Sequence, residues 1–214
     1  MHLLGYLIGI YLKTFLLTFI MIKKLFAKGR RGLIYINYFK GKKVIIKEKN
    51  PSSLAEGRIK NEGDFLKKLN KYKIGPKLVR TGKNYVMYEF VKGDFILDFI
   101  EKKNKARIMK ILKEVLEQCF ILDELKINKL EMHHPVKHII IDKKPVMIDF
   151  ERTYYTENPK NVSQFCQFLM LISKLLKKKK MLVDKKKMID LVKKYKEDYS
   201  EKKFKEILKF ISSL

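Results

Sequence analysis

The chain has 214 residues, 46% of them hydrophobic, which suits one domain with a buried core and a small additional segment. Lysine and arginine outnumber aspartate and glutamate by 49 to 23. The net charge of +26 predicts attraction to nucleic acid, anionic lipid headgroups or acidic proteins, although a general bias toward lysine explains it equally well. The cysteines, Cys119 and Cys166, form no C-x-x-C motif, so neither a zinc centre nor a disulfide framework is indicated. Both are predicted core residues of a reduced, intracellular domain.

Residues 1–22 are almost wholly apolar, with Lys13 as the one charge, and their length matches a single membrane span. Basic residues follow from Lys23 to Arg31, which would keep the rest of the chain in the cytoplasm. This segment is therefore a candidate helical anchor to the cytoplasmic membrane. A helix packed on the domain, or translation that starts at Met21, explains it as well.

A β-rich region is predicted from residue 24 to residue 49, with strands at 33–38 and 43–47 around a turn. A short glycine motif, Gly29-x-x-Gly32, precedes the first strand, and by itself it indicates no more than a turn. Lys47 ends a run of valine and isoleucine, where an ammonium is costly unless it has an anionic partner.

That partner is predicted on the next element, a helix over residues 53–71. Glu62 shares the apolar face of this helix with Phe65, Leu66 and Leu69, and pairing with Lys47 would explain an acid in that place. Glu56 is the alternative partner for Lys47. The simplest explanation is that Glu62 has no such partner and is exposed to solvent.

Strands are predicted at 78–81 and 85–91, followed by helical periodicity from Asp94 onward. The predicted helices are a short one at 95–102, a long one capped by Asn104 with a broad apolar stripe, another at 162–177, and a basic helical tail at 183–214.

A short hairpin is predicted between two β-branched runs, residues 139–141 and 146–148, with a turn at 142–145. Folding this hairpin brings His138, before its first strand, level with Asp149, after its second. Two potential metal ligands that are distant in sequence are therefore predicted to be neighbours.

Several of these motifs follow one order along residues 24–214, and together they resemble the protein kinase-like superfamily. They are Ala27-x-Gly29-x-x-Gly32, Val44-Ile45-Ile46-Lys47, Glu62 on its helix, Val86 to Gly93, and Asp149-Phe150-Glu151-Arg152 with Pro159-Lys160-Asn161-Val162. The likeness is greatest to the small archaeal predicted Ser/Thr protein kinases related to the RIO and tRNA-modification-associated kinases. It implies an α+β, two-lobed fold, with a β-rich lobe and hinge over 23–93 and a helical lobe over 94–214. ATP and Mg²⁺ would bind between the lobes of a monomer.

The resemblance also implies roles for individual residues. Gly29, Gly32 and Ile34 would cover the nucleotide, Lys47 would bind the α- and β-phosphates and pair with Glu62, and Asp149 would hold Mg²⁺. Adenine would meet the segment of Met87, Glu89 and Val91, with Met87 at the back of the pocket.

The loop before the hairpin departs from the family pattern, because residues 129–138 contain no aspartate. Glu131 is the favoured catalytic base, since a carboxylate preserves the chemistry, and His133 is the alternative. His138 stands where a metal-binding asparagine is expected, which suggests Mn²⁺ as an alternative to Mg²⁺. A zinc site built from His133, His134 and His138 is a further possibility.

The sequence is consistent with three functions. The first is an ATP-dependent phosphotransferase, a serine/threonine kinase acting on a protein or another hydroxyl acceptor. The second is a nucleotide-binding pseudokinase or slow ATPase that serves as a scaffold. The third is a basic protein that binds RNA, the ribosome or a membrane without catalysis.

Overall fold

The computed structural model describes residues 24–29, 32–53 and 57–214. The predicted apolar helix at residues 1–22 lies outside these ranges. Among the described residues, no helix has both the length and the apolar character needed to cross a membrane. The fold is a mixture of an antiparallel sheet and several helices, so the predicted α+β class is confirmed.

The first part of the chain forms a five-stranded antiparallel sheet with one helix. Its strands are β1 (Lys24–Lys28), β2 (Gly32–Phe39), β3 (Lys42–Lys49), β4 (Leu78–Thr81) and β5 (Tyr85–Glu89), in the order β1-β2-β3-β5-β4. Lys40 and Gly41 take positive φ angles, 49° and 74°, in the tight turn between β2 and β3. The helix, α1 (Arg58–Leu69), buries Ile59, Phe65 and Leu66 in the main core.

The two faces of this sheet bury different side chains, because alternate residues of a strand point in opposite directions. Ile45, Val86 and Tyr88 belong to the main core, which α1 shares. Met87 lies in a small separate cluster with Val44 and Ile46.

The second part is mainly helical and follows β5 through a short connection. It contains β6 (Asp94–Phe95), α2 (Ile96–Lys102), α3 (Lys105–Glu124), β7 (Ile127–Asn128), β8 (Ile139–Ile141), β9 (Pro145–Met147), β10 (Tyr154–Tyr155), α4 (Asn161–Leu171), α5 (Ser173–Lys178), α6 (Lys185–Asp198) and α7 (Glu201–Ser212). Single 3₁₀ turns lie at Leu130–His133 and Pro135–Lys137. Asn104 caps α3 as predicted, since its Oδ1 accepts a hydrogen bond of 3.0 Å from the Arg107 N–H.

Several predicted boundaries were wrong. The predicted helix at 53–71 begins at Arg58, with residues 54–56 outside the description, and its last turn is a 3₁₀ turn, Asn70–Tyr72. The predicted helix at 162–177 is two helices, α4 and α5, and the basic tail also divides, because Tyr199 adopts a left-handed φ of 55° that ends α6. Cys119 and Cys166 are buried and free, as predicted.

Helix α1 also connects the sheet to the segment that follows β9. The Asn61 side chain donates hydrogen bonds of 3.1 and 2.9 Å to the backbone carbonyls of Glu151 and Thr153. The rings of Phe65 and Tyr155 lie 5.2 Å apart. These contacts fix α1, and with it Glu62, relative to the residues after the short hairpin.

Candidate functional site

Lys47 lies at the centre of a cluster of three carboxylates. Its Nζ is 2.8 Å from Glu62 Oε2, 2.8 Å from Asp149 Oδ1 and 3.1 Å from Glu151 Oε2. Lys47 and Glu62 are almost fully buried, with side chains 8% and 1% exposed, whereas Asp149 is 35% exposed and opens the cluster to solvent. The predicted neighbours Lys47 and Glu62 therefore meet, and Asp149 joins them from the other part of the chain.

The local structure explains why these side chains converge. Alternation along β3 turns Lys47 toward α1, where Glu62 lies on the buried side of the helix. Asp149 follows β9 with a left-handed φ of 65°, a conformation that aspartate tolerates better than most residues. Phe150 is fully buried beside Gly75 and so holds the turn in place.

The charges in this cluster stabilise one another. Burial alone would lower the pKa of Lys47, but the carboxylates of Glu62, Asp149 and Glu151 hold that pKa well above its usual value. Burial raises the pKa of Glu62, against the attraction of Lys47. Burial also acts to raise the pKa of Asp149, but Lys47 outweighs it and the pKa is lowered. Lys47 is therefore cationic and Asp149 anionic at neutral pH.

The carboxylates of Glu62, Asp149 and Glu151 could together hold a metal ion. One oxygen from each lies within 4.8 Å of the others. The cluster contains three carboxyl groups and only one cation, Lys47, and hard divalent cations prefer carboxylate oxygen as a ligand. In addition, no described residue donates a hydrogen bond to the buried Oε1 of Glu62. Glu151 was not predicted to belong to the site.

His138 lies beside Asp149 as predicted, but the predicted hairpin register was wrong by one residue, because Pro145 belongs to β9 and pairs with Ile141. The hairpin register pairs Ile139 with Met147, and the Ile148 N–H donates to the His138 carbonyl at 2.9 Å. His138 Nδ1 is 3.8 Å from Asp149 Oδ2, and no described residue forms a hydrogen bond with this buried nitrogen. Burial, and then the charge of Lys129, lowers the pKa of His138, so the ring is neutral at neutral pH and able to act as a ligand.

Lys129 is a buried cation that the sequence analysis missed. Its side chain is fully buried, and its Nζ lies 2.6 Å from the Asp149 carbonyl, 3.0 Å from Glu131 Oε2 and 5.0 Å from the centre of the Phe150 ring. It therefore ties the loop that carries Glu131 to the turn that carries Asp149. A lysine in a polar loop gives no sequence signal for such burial.

His133, the alternative predicted base, does not belong to this cluster. It is exposed, its Nδ1 is 3.0 Å from the Leu130 carbonyl, and with His134 it lines a groove against α4. Across the described ranges, the only group of three or more residues arranged to hold a metal is the carboxylate cluster. The zinc site from His133, His134 and His138 was therefore wrong, because these histidines do not converge.

Gly29 follows β1 and Gly32 begins β2, next to Lys47. The Gly29 N–H donates to the Gly32 carbonyl at 2.9 Å. A Cβ on Gly32 would be 3.2 Å from the Glu48 carbonyl oxygen and 3.4 Å from Lys47 Cε, so a larger residue would crowd the lysine. Ile34 pairs with Lys47 across β2 and β3 and therefore lies on the same face of the sheet.

The predicted role of Met87 was wrong. Met87 lies on the opposite face of the sheet from Lys47, so it cannot line a pocket with that residue. Tyr88 is buried on the Lys47 face together with Val86, and burial, followed by the charge of Glu62, raises the pKa of its hydroxyl. The other two residues of the predicted adenine segment follow Tyr88 along the chain. Glu89 forms an ion pair of 2.8 Å with Lys42, and the Val91 N–H donates no hydrogen bond to any described residue.

A buried polar network supports the loop from behind. Asp123 Oδ1 accepts hydrogen bonds from the Asn161 backbone and side chain at 3.0 and 2.7 Å, and Asp123 Oδ2 accepts from the Tyr195 hydroxyl at 3.0 Å. Asn161 Oδ1 in turn accepts from the Lys129 N–H at 2.9 Å. Burial raises the pKa of Asp123 to about 6 despite these donors.

We compared the chain with known proteins and protein families. No protein-family model matches the chain. Over 73 residues it is 29% identical to a protein of Methanocaldococcus jannaschii named Uncharacterized protein MJ1211. The aligned part covers 34% of this chain and 63% of the length of that relative, whose name states no activity.

Proposed function

We propose that the protein is an ATP-dependent phosphotransferase of the serine/threonine kinase-like type, with a β-rich lobe over residues 23–93 and a helical lobe over residues 94–214. The observation that carries this proposal is the position of Lys47. Its ammonium contacts Glu62 on one helix and Asp149 after the hairpin, both at 2.8 Å, beside Gly32 and at a carboxylate that is 35% exposed. A cation next to a partly exposed carboxylate and a glycine suits the phosphates and metal ion of a nucleotide.

Three features support ATP as the phosphoryl donor. The space that a Cβ on Gly32 would fill leaves the backbone free to approach a phosphate close to Lys47. The Val91 N–H, which has no acceptor among the described residues, is available to a purine base. Ile34 and Tyr88 provide apolar surface on the same face of the sheet as Lys47.

The residues present also fit a divalent metal ion, Mg²⁺ or Mn²⁺. Asp149 is the most exposed carboxylate of the cluster, at 35%, and the neutral ring of His138 lies beside it with a buried nitrogen that no described residue hydrogen-bonds. A histidine ligand favours Mn²⁺ over Mg²⁺. A bound divalent ion would neutralise phosphate charge, which is its usual part in phosphoryl transfer.

Glu131 is the residue that we assign to the acceptor hydroxyl. Lys129 holds Glu131 Oε2 at 3.0 Å and the Asp149 backbone at 2.6 Å, so the two carboxylates keep a fixed relation. In the transfer, the acceptor oxygen bonds to the γ-phosphorus, the bond from that phosphorus to the β–γ bridging oxygen breaks, and the hydroxyl proton passes to Glu131. ADP and the phosphorylated acceptor are the products.

The test is metal-dependent release or transfer of the γ-phosphoryl group by the full chain. We expect turnover in the wild type and its loss in Glu131→Gln and in Asp149→Asn. Glu124→Gln makes the same chemical change as the first variant at an exposed position on α3 and should keep full activity. Nucleotide binding without turnover in the wild type would instead indicate a nucleotide-binding scaffold.

A further inference from the structure

Two grooves lie side by side on the helical part of the protein, next to the turn that carries Glu131. The first has a volume of about 520 Å³ and is lined by His133, His134, Gln167, Met170, Leu171 and Lys185. The second, of about 340 Å³, is lined by Ser173, Lys174, Lys177, Leu182, Val183 and Asp184. Their lining residues are neighbours along the chain, since Leu171 and Ser173 are two residues apart and Asp184 precedes Lys185. We call them together the α4–α6 groove.

The floor of the α4–α6 groove is aliphatic and exposed. Leu171 and Leu182 are 65% and 67% exposed, the largest values among the exposed large hydrophobic side chains in the described part of the chain. Leu171 is the last residue of α4, Leu182 lies in the connection between α5 and α6, and Met170 and Val183 add to the apolar lining. Exposed apolar side chains that are grouped in a groove and rimmed by charges mark a binding surface more often than scattered ones do.

The rim of the groove is cationic. Lys174, Lys177 and Lys185 are exposed, and among the described residues none of them forms an ion pair. The one carboxylate in the lining, Asp184, accepts a hydrogen bond from the Lys187 N–H at 3.0 Å and so caps α6. Over residues 173–187 the sequence has one acid against eight lysines, which are Lys174, Lys177, Lys178, Lys179, Lys180, Lys185, Lys186 and Lys187.

We propose that the α4–α6 groove binds an acidic polypeptide segment that carries the acceptor hydroxyl, an inference that rests on the proposed function. The turn Leu130–His133 packs directly against α4, so Glu131 and the lining residue His133 lie on the same turn beside the groove. A chain bound along the lysines toward His133 approaches the loop that holds Glu131. Charge complementarity selects glutamate- and aspartate-rich segments, and Leu171 and Leu182 accept their apolar side chains.

The lining favours a polypeptide over a nucleic acid. Proteins that bind single-stranded nucleic acid stack bases on aromatic rings or on arginine planes. The α4–α6 groove contains no phenylalanine, tyrosine, tryptophan or arginine, and its apolar residues are leucine, methionine and valine. Aliphatic side chains of this kind bury the side chains of a peptide.

The test is fluorescence anisotropy of the full chain with labelled probes. The first probe is a glutamate-rich peptide with one serine and one leucine, and its matched partner has lysine in place of each glutamate. Polyuridine RNA and phosphatidylserine vesicles are the remaining probes. The triple variant Lys174→Glu/Lys177→Glu/Lys185→Glu reverses the rim, and Lys143→Glu/Lys144→Glu makes the same kind of change in the exposed turn between β8 and β9.

We expect the wild type to bind the acidic peptide and not its lysine partner. The triple variant should bind at least about tenfold more weakly, because attraction is replaced by repulsion, while the turn variant should bind normally. Failure of the acidic peptide to bind would overturn the proposal, and so would preferential binding of RNA or vesicles that the triple variant loses. Binding of ATP and a metal ion by the wild type is measured in parallel, so that a nucleotide-binding protein without peptide binding refutes this inference alone.

Discussion

Replacing Lys47 with methionine removes the charge at the centre of the carboxylate cluster and keeps most of the side-chain volume. At 2.8 Å and an effective dielectric constant of about 20, the attraction between Lys47 and Glu62 is about 6 kcal/mol, against a desolvation cost of several kcal/mol for each ion. Removing one partner of a buried pair costs about 3–5 kcal/mol. For a chain of this size, that loss lowers the melting temperature by about 6–20 °C.

Urea unfolding at two pH values checks the cause of this loss. Glu62 without its cation has a folded-state pKa above its unfolded value, so the variant loses stability as pH rises through the range between the two. The deficit relative to wild type should therefore be larger at pH 7.5 than at pH 5. The double variant Lys47→Met/Glu62→Gln should recover part of it.

Lys60→Met is the matched control, since Lys60 is exposed on α1, and it should change stability by less than about 0.5 kcal/mol. A deficit below about 1 kcal/mol in Lys47→Met, or one that does not change with pH, would refute the claim that buried carboxylates hold this lysine.

Three further predictions follow from the sheet and the buried network. Gly32→Ala should weaken ATP binding, measured by calorimetry, by an amount equivalent to about 1–3 kcal/mol, because its Cβ crowds Lys47; unchanged affinity would contradict this. Met87→Ala should lower the free energy of unfolding by about 2–5 kcal/mol and leave the affinity for ATP unchanged. Tyr88→Ala should lower both the free energy of unfolding and the affinity for ATP. The raised pKa of Asp123 makes its ionisation costly in the folded state, so the stability of wild type relative to Asp123→Asn should fall by up to about 3 kcal/mol between pH 4 and pH 6; a flat difference would argue against it.

Much of the site could be predicted from local pattern. The β-branched runs around residues 142–145 predict the hairpin that brings His138 near Asp149, although the observed pairing of Ile141 with Pro145 places Ile148, one residue before Asp149, directly opposite His138. In the same way, a lysine at the end of an apolar strand and an acid on an apolar helix face each require a partner, and they meet each other.

Other parts of the site could not be predicted for equally physical reasons. Residues 85–88 are all apolar or aromatic, so alternation of polar and apolar residues does not indicate which of them faces Lys47, and the structure has Tyr88 on that face in place of Met87. Lys129 is buried only because the Asp149 carbonyl and Glu131 surround its ammonium, which sequence spacing does not reveal. Glu151 joins the cluster through the turn after Asp149.

The central claim is that the cluster around Lys47 binds a nucleotide together with a metal ion. Thermal unfolding of the full chain with ATP and Mg²⁺ or Mn²⁺ tests it most directly. Ligand at a hundred times its dissociation constant stabilises a protein by about 2.7 kcal/mol, which raises the melting temperature of a chain of this size by about 5–11 °C. We predict this metal-dependent rise in the wild type and in Asp142→Asn, an exposed control, and its loss in Asp149→Asn. No rise in the folded wild type, or an equal rise in Asp149→Asn, would contradict the account.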